Sequence, residues 1–156
     1  MRLLFLIILF NVFSKSFAQD TKAIDATTGV GDYKFCAPCE SLNSKIDEYG
    51  WYNIYPNLEV GGLKVNKVKI ACNDVANYHV KGIYWIELYF ESKTDVDYKK
   101  VCDQLFHKYG PISSLDYMND ARTWEGKFVS ITCRHEDSGQ IVVVYDKKQA
   151  TKKVGF

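Results

Sequence analysis

The sequence predicts an α+β fold: one small domain whose mostly antiparallel sheet of about four strands carries two helices on one face. Three observations lead there. Apolar residues recur at helical spacing in two places, over 38–49 and over 95–109. Alternation of period two runs from Leu63, through Gly82–Phe90, over Ala121–Arg134 and over Gln140–Tyr145. The resulting order (helix, strand, strand, helix, strand, strand) closes with antiparallel pairs and short connections. Composition agrees with a packed domain. The 156 residues are 47% hydrophobic and 15% aromatic, with 20 basic against 19 acidic side chains, which excludes a disordered tail, a collagen-like fibre and a charge-driven nucleic-acid binder.

Residues 1–18 read as a cleaved export signal. Met1-Arg2 is a positive start, Leu3–Phe13 is apolar apart from Asn11, and Ser16-Phe17-Ala18 places small residues before a cut after Ala18. Eleven residues fall short of the roughly 20 that a membrane span needs, so an exported product, periplasmic or secreted, is expected. No later stretch is long and apolar enough to cross. Loss of Arg2 and Lys15 leaves 18 basic against 19 acidic residues, a balance with no electrostatic pull towards nucleic acid or an anionic membrane.

Residues 19–34 lack an apolar period and read as a flexible leader; residues 35–147 are the domain, and 148–156 a loose basic tail. Pro38 suits a first helical turn, Glu40 its positive end, and Cys39, Leu42, Ile46 and Tyr49 share one face before Gly50. In the strand from Leu63, Val68, Ile70 and Cys72 lie opposite Lys67, Lys69 and Ala71. Gly82–Phe90 is apolar on both faces, as a central strand would be. Thr94 caps the second helix, Asp95 and Asp97 occupy its first turn, and Gly110-Pro111 ends it. Its stripe is Tyr98, Val101, Cys102, Leu105, Phe106 and Tyr109. Glu136–Gly139 is a hairpin turn.

Five cysteines follow the expected cut. In an exported chain Cys36, Cys39, Cys72 and Cys133 are disulfide candidates, a Cys72–Cys133 bridge among the options, whereas Cys102 on the helix stripe reads as a small buried hydrophobe. Phe35-Cys36-Ala37-Pro38-Cys39 has two further readings. A cysteine at a helix start favours its thiolate, and a second one three residues on resolves a mixed disulfide; the alternative is a structural bridge or an unreactive pair. A zinc site from Cys36, Cys39, Cys133 and His135 is disfavoured, because the second pair is spaced i, i+2 and export competes against free thiolates. No cofactor motif is present. Glu87, mid-strand among aromatics, is either a perturbed carboxylate or a residue on the open side of the sheet. Trp51, Tyr52, Tyr55, Tyr84, Trp85, Tyr89 and Trp124 are candidates for a recognition surface, with core filling as the competing role.

Two resemblances accompany these residues. Cys36-Ala37-Pro38-Cys39 resembles the active-site turn of the thioredoxin family, which implies a redox pair with Cys36 attacking and Cys39 resolving. The stretch from about 58 to 147 is similar to small exported bacterial proteins of unassigned function. It is carried by Gly61-Gly62-Leu63, Tyr109-Gly110-Pro111, Thr123-Trp124-Glu125-Gly126 and Val142-Val143-Val144-Tyr145. That resemblance implies a compact α+β envelope protein and no catalytic residue. The expected function is therefore a non-enzymatic exported protein that binds another protein or an envelope component. A thiol–disulfide protein using Cys36 and Cys39 is the alternative.

Overall fold

The structure, a computed structural model, describes residues 19–73 and 81–148. The expected signal, the basic tail beyond Lys148 and His79 lie outside these residues. The fold is mostly β, which corrects the four-strand α+β expectation. Ten strands are present among the described residues: β1 Gly29–Val30, β2 Tyr33–Lys34, β3 Tyr52–Ile54, β4 Leu58–Val60, β5 Leu63–Asn73, β6 Gly82–Phe90, β7 Ser114–Asp116, β8 Ala121–Glu125, β9 Val129–His135 and β10 Ile141–Lys147. The helices are a short α1, Thr21–Asp25, and a long α2, Asp95–Tyr109. β1 and β2 form a two-stranded ribbon. The other eight make one antiparallel sheet in the order β3-β5-β6-β10-β9-β8-β7, with β4 also paired to β5.

The two strands with the clearest alternation, β5 and β6, are the longest and pair along most of their length. β6 lies between β5 and β10, as its two apolar faces require. The helix cap is also as expected: Thr94 accepts the Asp97 backbone N–H through its side chain, and Gly110 ends α2. Phe106 leaves the expected stripe and is exposed. The single strand expected over 121–134 is two strands, β8 and β9, folded back on each other about Gly126–Phe128.

The helix expected over 38–49 does not form. Only a single 3₁₀ turn, Cys39–Ser41, is present, and Ile46 and Tyr49 are exposed. Local side-chain bonding outcompetes the helix ladder. The Ser41 hydroxyl donates to Pro38 O and Ser44 to Asn53 O, while Asp47 accepts the N–H groups of Tyr49 and Trp51 and the Asn53 amide. Those bonds close a turn that hands the chain to β3.

Residues 19–34 are not a loose leader. Asp20 caps α1 through Ala23 N–H, its own N–H donates to Tyr109 O at the end of α2, and Ile24 is fully buried. Cys36 N–H and Ala37 O then bond Ile83, bringing backbone so close to Gly82 that a Cβ there would sit 2.2 Å from Ala37 O. A five-residue helix with one buried isoleucine has no period to read, so only the distant partners reveal its place.

Asp25 anchors this segment to the β8–β9 turn. Its carboxylate accepts the N–H groups of Phe128 (2.7 Å), Lys127 (3.0 Å) and Val129 (3.3 Å). Burial opposes ionisation, but these three donors and the Lys148 charge hold the carboxyl below its ordinary value. Asp25→Ala is expected to lower the unfolding free energy by about 1–2 kcal/mol, discounted for its partial exposure. A depressed carboxyl contributes fully above its unfolded value, near 4, and loses that contribution as pH falls through the lower folded value. The gap between parent and variant in urea unfolding should therefore close below about pH 4; a gap independent of pH would refute the assignment.

Candidate functional site

The sheet has two different faces. Towards the helices lie Val68, Ile70, Ile86, Leu88, Ile131, Cys133, Val143 and Tyr145, which pack with Ile24, Tyr98, Val101, Leu105, Tyr109 and Trp124 into the main core. The far face carries the alternate residues. Register places Lys67, Tyr89, Val142 and Arg134 in one row across β5, β6, β10 and β9, and Lys69, Glu87, Val144 and Thr132 in the next. Tyr89, Val142 and Val144 form a separate apolar cluster with Trp85 packed on it. Both helices belong to the first cluster; among the described residues neither packs on the second.

Glu87 is the centre of this far face and is only 7% exposed. Its Oε1 accepts the Trp85 indole N–H at 3.1 Å and its Oε2 accepts the Tyr89 hydroxyl at 2.6 Å. Residues i, i+2 and i+4 of one strand thus form a single unit, because a strand turns alternate side chains to the same side. Arg134 lies 3.8 Å from the same carboxylate and 3.0 Å from that of Glu136. The Lys67 ammonium sits 4.2 Å from the centre of the Tyr89 ring, and that of Lys69 5.5 Å from it. Burial, with Lys69 nearby, lowers the Lys67 amine from its ordinary value against the pull of Glu87 and Glu136. Burial, then the bond to Glu87 and its charge, drives the Tyr89 hydroxyl well above its ordinary value. The unit is a fixed carboxylate framed by aromatic rings and flanked by three cations.

A polar cleft of about 430 Å³ adjoins it, with Arg134 on the common wall. Thr123, Thr132 and Asn119 supply donors there, while Asp116, Glu136 and Asp137 supply carboxylates. The cluster itself is closed, with Val142 and Val144 at 0% and 3% exposure, so this face turns outward the half-buried Trp85, the cations and the hydrogen-bonding groups of the cleft.

The expected recognition aromatics separate. Trp85 is half-buried on the far-face cluster. Trp124 is 1% exposed in the main core, with its indole donating to Gly110 O at 2.8 Å. Trp51 and Tyr52 are half-buried at the start of β3, Tyr52 beside a shallow cleft with Cys39, Glu40 and Lys45, and Tyr55 is largely exposed. These three lie at the other edge of the sheet from Arg134. The sequence reading singled out Glu87, Trp85 and Tyr89 but not Arg134, Lys67 or Lys69. For the two lysines the signal was the alternation that gives them one side of β5; they meet Glu87 only through the β5–β6 pairing, and Arg134 only through the β9–β10–β6 pairing.

Among the cysteines, Cys39 is bridged to Cys72 with their Cα atoms 5.8 Å apart. The bridge is compatible with an exported chain. Cys36 is an exposed thiol in a left-handed backbone conformation (φ 64°), and with no helix beyond the 3₁₀ turn there is no long dipole behind it. Cys133 is a buried thiol facing Cys102, not Cys72. His135 stacks on Tyr98 at 4.2 Å and lies 3.5 Å from Asp120. Among the described residues no three His, Cys, Asp or Glu side chains are placed to hold a metal ion, and no helix is long and apolar enough to cross a membrane. Comparison with family models, with curated proteins and with solved structures finds no match for this chain.

Proposed function

We propose that the chain is an exported, non-enzymatic binding protein, periplasmic or extracellular, whose partner is another protein or an envelope component docking on the far face of the sheet. One observation carries this reading: a second apolar–aromatic cluster, organised about the Glu87 carboxylate, lies outside the main core and has no described helix on it. Trp and Arg are among the residue types that contribute most at protein interfaces, and the half-buried Trp85 and Arg134 flank the Glu87 carboxylate here. Their positions are set before binding by hydrogen bonds, which lowers the ordering cost of association. Thiol–disulfide exchange draws less support, since Cys39 is joined to Cys72 and only Cys36 of the pair is a thiol.

The test compares the exported chain with Trp85→Ala and Arg134→Ala, each immobilised and exposed to the envelope and secreted fractions of its own cell, with retained proteins quantified by mass spectrometry. A specific partner should be lost at least tenfold on either substitution, the fall expected from about 1.4 kcal/mol or more at a central contact. Cys36→Ser should retain it. Retention by both aromatic and arginine variants, with loss on Cys36→Ser, would reverse the assignment in favour of thiol chemistry.

A further inference from the structure

We infer that Cys102 and Cys133 are a disulfide-forming pair, so that the exported protein acquires a second bridge joining α2 to β9. The inference is independent of the docking surface. Cys102 lies on the buried side of α2 and Cys133 on the helix-facing side of β9, and their Sγ atoms are 3.5 Å apart. A bond requires an approach to about 2.05 Å, so forming it draws the two sulfurs about 1.5 Å closer than they stand. The local chemistry favours one partner as nucleophile. The Cys102 thiol donates to Cys133, the direction reversing once Cys102 ionises, and Arg122, directly across the strand pair from Cys133, places its guanidinium 5.1 Å from the Tyr98 ring beside the Cys102 sulfur. The bond from Cys133, then Arg122 and Tyr98, outweigh burial and bring the Cys102 thiol down to about 7. Cys133, whose proton is held by its bond to the Cys102 sulfur and which is also shielded from water, is raised well above its ordinary value. An attacking thiolate and a resolving thiol are therefore set side by side.

The co-reactant is an accepting disulfide, that of glutathione or of an oxidoreductase in the export compartment. The Cys102 thiolate attacks one acceptor sulfur, and the other leaves as a thiolate that takes up a proton. Cys133, losing its proton, then attacks Cys102 sulfur in the mixed disulfide and expels the second acceptor thiolate, which is protonated in turn. The pair gives up two electrons and two protons; the acceptor disulfide becomes two thiols. Since Cys102 and Cys133 are 3% and 0% exposed, the acceptor reaches Cys102 late in folding, while α2 is settling beside Cys133 and Arg122 but has not sealed the pair, and the exchange is slow in the finished protein.

The experiment refolds the reduced exported chain in a mixture of reduced and oxidised glutathione and quenches it with acid. It then alkylates the chain under denaturing conditions without reduction and maps the peptides by mass spectrometry. The expected product has Cys39 linked to Cys72, Cys102 linked to Cys133 and Cys36 alkylated, with less than a tenth of Cys102 and Cys133 carrying the alkyl group. In Cys133→Ser the Cys102 thiol should be alkylated while the first bridge persists. The parent chain decides the matter even if that variant folds poorly. Full alkylation of Cys102 and Cys133 in a product whose Cys39–Cys72 bridge has formed would overturn the inference, as would linkage of either cysteine to Cys36.

Discussion

Replacing Trp124 by alanine is expected to lower the unfolding free energy by about 3–5 kcal/mol, the range for a buried aromatic truncated to a methyl group. Trp124 is the largest fully buried side chain among the described residues. It sits on β8 opposite Ile131, and its indole N–H donates to Gly110 O, so it joins the sheet edge to the end of α2. Truncation removes the packing and also leaves Gly110 O without its donor. Against a total of about 5–15 kcal/mol for a domain of this kind, the loss is a large fraction. Trp124→Phe keeps most of the volume and loses the hydrogen bond, so a smaller loss of about 1–2 kcal/mol is expected. Equilibrium unfolding in urea measures both. An alanine variant within 1 kcal/mol of the parent at an unchanged denaturant slope would show that Trp124 is not a core residue.

The second large effect follows from breaking the Cys39–Cys72 bridge. The cysteines are 33 residues apart, and closing a loop of that length stabilises the fold by about 4 kcal/mol on the chain-entropy account. The bridge has a particular task. Between Cys36 and Trp51 the chain has no regular element beyond a 3₁₀ turn, and Cys39 and Leu42 are its buried residues. The other end lies on β5 at the register shift between Ala71 and Cys72, where the ladder to β6 is interrupted. The double variant Cys39→Ala, Cys72→Ala should melt roughly 10 °C lower than the oxidised parent. It should also be cut by protease within residues 38–51 before the rest of the domain opens. An unchanged melting temperature on loss of the bridge would mean that Leu42 and the Asp47 turn hold the segment unaided.

The pattern of success and failure along the chain has a physical origin. β5, β6, α2 and the Glu136–Gly139 hairpin were legible because their causes are local. A period of two or of 3.6, a Thr cap, a Gly-Pro stop and a polar turn act within a few residues of one another. The 38–49 stripe had a period too, but Ser41, Ser44 and Asp47 bond the backbone in ways that a helix cannot accommodate, and Cys39 is held by Cys72. Alternation likewise marks two faces without saying which of them is covered. Trp85 and Trp124 both sit on strands, yet one belongs to the far-face cluster and the other to the core.

By itself the sequence determined a globular, charge-balanced domain with one long amphipathic helix and paired strands, since burying apolar surface at those spacings leaves few other arrangements. The tertiary structure alone decided three things. It folded the expected leader onto α2 and the β8–β9 turn, it paired Cys39 with Cys72 while facing Cys102 towards Cys133, and it set Arg134 beside Glu87. Each joins residues more than 30 apart in the chain, and no local spacing encodes such a meeting. It is the pairing of whole strands, each fixed by its own buried face, that brings them together.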